Sequence, residues 1–162
     1  MAPVISSQRL RGAQFSSRPA AVRWAATLSV AAAYLHLVVT QAHFQEWWGY
    51  GVFFLVAVVA QASFAGLLLW RPRPWLPVAG IAGNAAIIGM YVLSRTNGVP
   101  LGPNAGRPES AGVLDLGATI AELGLIAALV AVLPRHLARR TVTLLMVGGV
   151  VLWAARFTGV LL

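Results

Sequence analysis

The chain has 162 residues, 59% hydrophobic and only 10% charged, with 12 basic and four acidic side chains for a net charge of +8. Apolar content this high is the opposite of a disordered signature, and soluble domains carry about 25% charged residues. No cysteine is present, which excludes disulfides, thiolate metal sites and thiol catalysis.

Every basic residue is arginine, and the arginines fall between long apolar runs. That distribution marks topology determinants, whereas a nucleic-acid binder would gather them into a patch on a soluble domain. Residues 1–21 are polar and carry Arg9, Arg11 and Arg18. They read as a flexible basic cytoplasmic tail, with an amphipathic interfacial segment as the alternative. A cleaved signal peptide fits poorly, because the apolar run that follows is too long.

Five apolar segments follow, at about 22–44, 50–70, 75–94, 112–133 and 141–161. Each approaches the roughly 20 residues an α-helix needs to cross the hydrocarbon core. Backbone groups in lipid must be satisfied internally, so these runs are expected to be helices. The fold class is therefore all-α: a polytopic membrane bundle of five transmembrane helices over residues 22–162.

The connections are an aromatic turn at 45–51, a basic breaker Arg71-Pro72-Arg73-Pro74, a Gly/Pro-rich loop at 95–111 and a basic turn from Pro134 to Arg140. With the N-terminus inside, Arg9, Arg11, Arg18, Arg23, Arg71, Arg73, Arg135, Arg139 and Arg140 are cytoplasmic, and the outer loop keeps only Arg95 and Arg107. The positive-inside rule then predicts the N-terminus in and the C-terminus out, and the expected location is the plasma membrane. No internal repeat supports an inverted-repeat transporter.

In that topology all four acids, Glu46, Glu109, Asp115 and Glu122, fall on the outer side, together with His36, His43 and Arg156. Charged groups inside a bilayer cost about 2.5–3.5 kcal/mol each on insertion scales, so a cluster at one depth needs a reason. His36, Thr40 and His43 repeat at i, i+4, i+7, and so do Asp115, Thr119 and Glu122. That spacing puts each trio on one helical face. Two such stripes, one of imidazoles and one of carboxylates, could meet across the bundle. Glu46 extends the first as His-x-x-Glu.

The candidate site is thus His36, His43, Glu46, Asp115 and Glu122, with Thr40, Gln61, Asn84, Thr119 and Arg156 supporting it. Arg95 and Glu109 would sit on a loop that caps it. Imidazole with carboxylate suits zinc, iron or manganese, and the same layer could relay protons. Haem fits poorly: His36 and His43 share a face and cannot sandwich it, leaving Met90 as the second axial ligand. The structural alternative treats His36, Gln61 and Asn84 as interhelical glue, pairs Asp115 or Glu122 with Arg156, and makes the aromatic turn an interfacial anchor.

The stretch His36-x6-His43-x2-Glu46, the loop Ser94-Arg95-Thr96-Asn97-Gly98-Val99-Pro100-Leu101-Gly102-Pro103 and the pair Asp115-x6-Glu122 resemble a group of small integral membrane proteins of actinobacteria. The resemblance covers about residues 25–133. It implies a membrane location and a helical fold, and carries no activity with it.

Three functions follow from the residues. The first is a metal- or proton-handling membrane protein. The second is a non-catalytic interaction or scaffold subunit, in which Gly80, Gly83, Gly117, Gly124, Gly148 and Gly149 permit close helix approach within the chain, in a homo-oligomer or in a membrane complex. The third is a membrane enzyme acting on lipid or quinone. The lipid bilayer is the expected partner and nucleic acid is not.

Overall fold

The computed structural model describes residues 19–157. They form five α-helices: α1 Pro19–Glu46, α2 Trp48–Trp70, α3 Leu76–Thr96, α4 Val113–Val132 and α5 Arg135–Phe157. All five are long and apolar enough to cross a membrane. The expected tail over 1–21 lies outside the described residues except for its last three, which already belong to α1.

Two boundaries differ from the sequence reading. The aromatic turn shrinks to one residue, Trp47, whose extended backbone (φ −164°, ψ 137°) separates α1 from α2. The basic turn after Pro134 is the start of α5, and its first helical bond runs from the Ala138 N–H to the Pro134 carbonyl at 2.9 Å. Proline suits the beginning of a helix because it lacks the N–H that would be orphaned there, and arginine is a good helix former. Charge at this point therefore marks a helix end near water, not a break in the helix.

The elements alternate, so two ends can be distinguished. One holds Arg23, Arg71, Arg73, Arg135, Arg139 and Arg140; the other holds the 97–112 loop. All six tryptophans lie within about two turns of a helix end: Trp24, Trp70 and Trp75 at the arginine end, and Trp47, Trp48 and Trp153 at the loop end. Between these belts Val56, Val59, Ile120, Leu123 and Val150 are exposed. An apolar waist between aromatic girdles matches the cross-section of a bilayer.

Helix α1 packs along both α2 and α4, and α4 packs on α3. By contrast, α2 and α3 touch only briefly, and α5 is held mainly through α4. The buried face of α1 is built from Ala25, Ser29, Ala32, Ala33, His36 and Thr40. Small side chains at helical spacing let the neighbouring backbones come close. At the arginine end, Leu68, Leu76, Leu125 and Leu129 are at most 1% exposed and fill the interior. Gly80 of α3 sits under them. A Cβ there would run into the Phe64 ring and lie 2.8 Å from Leu129 Cδ1.

Candidate functional site

Above that apolar plug the interior turns polar. A chain of hydrogen bonds crosses all four packed helices, and its polarity is set by one backbone carbonyl. Asn84 Nδ2 donates to the Gly80 carbonyl of its own helix at 2.8 Å. The amide oxygen of Asn84 must then face Gln61, whose Nε2 donates to it at 3.1 Å. The second N–H of Gln61 goes to Glu122 Oε1, also at 3.1 Å. An ionised Glu122 only accepts, and with it in that form His36 Nε2, 2.9 Å away, donates to the same oxygen. Each orientation follows from the donor and acceptor inventory of its side chain.

His36, Gln61, Asn84 and Glu122 are all buried, with Glu122 only 1% exposed. Burying a charge is tolerable when it is paired and hydrogen-bonded. Glu122 Oε1 meets that condition with two N–H donors. Gln61 gives both of its N–H groups to neighbours and leaves its own Oε1 without a partner. Ser29 ties α1 to α2 one step further in, donating to the Gln61 carbonyl at 2.7 Å. By helical rise, His36 lies ~15 Å from the loop end of α1, and Gln61 ~20 Å from that of α2. In a membrane that depth would fall near the middle of a ~30 Å hydrocarbon core.

From His36 and Glu122 toward the loop end runs a cavity of about 220 Å³. Its walls are mostly carbon: Val39, Phe53, Phe54, Ile87, Met90 and Leu114 among others. The Phe54 ring lies between the two histidines, 5.5 Å from the His36 ring and 4.0 Å from that of His43. His43 Nδ1 donates to the Val39 carbonyl at 2.9 Å. A carbonyl only accepts, so Nε2 is the lone-pair nitrogen of neutral His43. In neutral His36 the lone pair is on Nδ1, because Nε2 serves Glu122.

The rim of the cavity is electrostatic. Arg95 of α3 pairs with Glu109 of the loop and, through NH2, with Asp115 of α4 at 2.6 Å. It also lies 5.0 Å above the centre of the Tyr91 ring. Asp115 Oδ2 accepts the Gly112 N–H at 3.0 Å as well, closing the first turn of α4. The loop is held down by Tyr50, whose hydroxyl donates to the Leu101 carbonyl at 2.8 Å, by Asn104 on Glu46, and by the Glu109 N–H on the Ser94 carbonyl.

The five proposed ligands therefore separate. His36 joins Glu122, Asp115 joins Arg95, Glu46 turns out to the loop, and His43 bonds its own helix. Among the described residues no three His, Asp or Glu side chains are grouped to hold a metal ion. The two stripes do face each other, but they engage at the Glu122 level only. Two turns higher, Arg95 from α3 reaches Asp115 first.

Arg95, at the end of α3, meets Glu109 of the loop and also holds Asp115. Gln61 reaches Glu122 directly, and Asn84 reaches it through Gln61. The Thr40 and Thr119 hydroxyls bond the carbonyls four residues back, on His36 and Asp115 respectively. The Arg156 side chain lies outside the described residues.

Sequence reasoning passed over Ser29 and Tyr91 and gave Phe54 no part in the site, although each had a signal. Ser29 lies seven residues before His36 on the same face. Phe54 stands seven before Gln61, and Tyr91 seven after Asn84. No protein-family model, curated protein or solved structure matches the chain.

Proposed function

We propose that this is a multi-pass plasma-membrane protein, N-terminus in the cytoplasm and loop outside, whose outer pocket binds a small, mainly apolar molecule and exchanges a proton with it through His36 and Glu122. The carrying observation is that the buried His36–Glu122 pair forms the floor of a cavity whose walls are mostly carbon below a charged rim. A few convergent polar groups in a mostly apolar pocket are what small-molecule sites present. Imidazole is the side chain suited to proton exchange near neutral pH.

Of the two chemistries expected from the sequence, proton handling is favoured over metal binding, because the carboxylates already hold other partners. Access from one side is favoured over a path through the membrane, since Leu68, Leu76, Leu125 and Leu129 fill the interior on the arginine side. The interaction-subunit reading draws on α5, whose Leu144, Met146, Val150 and Trp153 remain exposed along its length.

Proton exchange is tested on the His36 Nε2 proton by nuclear magnetic resonance of histidine-labelled protein in lipid nanodiscs. Magnetisation transfer from water should reach that proton, and the transfer should fall in Ala118→Phe, which fills the cavity. A His36 Nε2 proton isolated from water in the wild type would identify the pair as sealed and structural.

A further inference from the structure

Resting on the pocket proposed above, we infer that its ligand is an uncharged hydroxyaromatic, a phenol or quinol ring each of whose hydroxyls donates to one free ring nitrogen, that of His43 or that of His36. Three observations converge on this class. The first is the hydrogen-bond sense of the two histidines. His36 Nε2 is committed to Glu122 and His43 Nδ1 to the Val39 carbonyl. In neutral form both present a lone pair, and both rings line the cavity. The site therefore asks its ligand for hydrogen-bond donors.

The second is charge. Arg95, the cation at the rim, already serves Glu109 and Asp115, and Glu122 already holds His36 and Gln61. Among the lining residues one cation, Arg95, faces three carboxylates, each already hydrogen-bonded, so an anionic ligand finds no unshared cation there, and an unmatched charge is costly to bring into an apolar cavity.

The third is shape and access. About 220 Å³ is below the roughly 300–1,000 Å³ of drug-sized sites and suits a single ring system. Trp47, Tyr50, Phe53, Phe54 and Tyr91 supply faces and edges for a flat ring, and offset or edge-to-face contacts favour aromatic partners. Helices α2 and α3 touch only briefly, and both line the cavity, so the side between them is the one from which a lipid-dissolved ring would enter.

The chain offers its own control, because it has only three histidines. His136 sits exposed at the arginine end, far from the cavity. Full-length protein, ¹⁵N-labelled at histidine in nanodiscs, is titrated with 4-propylphenol and separately with its methyl ether, 4-propylanisole. The phenol should shift the ring signals of His36 and His43 and leave His136 unmoved. The ether, which has no donor, should bind at least about tenfold more weakly, the order of one lost hydrogen bond to an enclosed acceptor.

Equal binding of phenol and ether at the two histidines would overturn the hydroxyl assignment while leaving the pocket intact. Failure of both compounds to reach either histidine would instead overturn the pocket itself. A shift at His43 alone would overturn the role given to His36. A further arm uses 4-pentadecylphenol dissolved in the nanodisc lipid. Binding of both phenols supports a lipid-borne ligand, and binding of the short phenol alone supports a water-borne one. In His43→Phe the phenol should lose about tenfold in affinity, and unchanged affinity would remove His43 from the site.

Discussion

His36 and Glu122 are 86 residues apart in the chain and 2.9 Å apart in the structure. The same Glu122 oxygen takes the Gln61 amide, so one carboxylate fastens α1 and α2 to α4 at mid-depth. Removing it should cost more than removing its charge. Glu122→Leu strands the N–H groups of His36 and Gln61, at about 1–3 kcal/mol for each buried donor left unpaired. Glu122→Gln keeps an oxygen for both and should be clearly milder. Unfolding in mixed micelles checks the order, and equal losses would show that the two donors find other partners.

Asn84 sets the direction of that chain. Asn84→Leu removes the acceptor that orients the Gln61 amide and should cost about 1–2 kcal/mol. It should also loosen Gln61 from Glu122, visible as a shifted His36 Nε2 signal. An unmoved His36 signal would show that the Gln61 amide is held without Asn84.

Packing below the polar layer makes a sharper contrast between two glycines of one helix. Gly80→Ala places a methyl against Phe64 and Leu129, and overpacking of this kind typically costs about 1–3 kcal/mol. Gly83→Ala meets nothing within 4 Å and should be neutral or gain up to about 1 kcal/mol from helix propensity. Thermal unfolding of the two variants side by side checks it.

The loop should behave as a fastened cap. Gly98 has φ +77°, and a Cβ there would meet the Arg107 backbone. Gly98→Ala is therefore strained in conformation as well as in space. Tyr50→Phe removes the tie to Leu101 and nothing else. Both variants should raise the rate of proteolysis within 97–112 while leaving the helices folded. Unchanged cleavage in Gly98→Ala would contradict the cap.

Orientation is checked separately. Reporter fusions after residues 72 and 138 should read cytoplasmic, and one near 104 should read external, as the arginine count requires. An external signal at 72 would invert the assignment.

Much of this architecture was legible in the residues. Apolar length gave the five spans, and the i, i+4, i+7 spacing put His36 and Glu122 on faces that do meet. Gln61 and Asn84 were legible because an amide in the middle of an apolar run has to find a partner. What the spacing could not show was relative height. Asp115 belongs to the same stripe as Glu122, yet Arg95 from a third helix intercepts it. The separation of the proposed metal ligands follows from that interhelical fact, which no single helix encodes. The start of α5 is hidden for a local reason: Pro134 and the arginines after it read as a turn, whereas they begin a helix.

The central claim is that the His36–Glu122 floor is open toward the loop end and closed toward the arginine end. The chain has no cysteine, so single cysteines report cleanly. Thr119→Cys lines the cavity, Leu129→Cys lies in the plug, and Asn104→Cys marks the loop face. Each is exposed to a small, charged, membrane-impermeant thiol reagent applied to one face of sealed vesicles. The account predicts that Thr119→Cys is modified only from the face that modifies Asn104→Cys, and that Leu129→Cys resists from both. Modification of Thr119→Cys from the opposite face, or of Leu129→Cys from either, would contradict it.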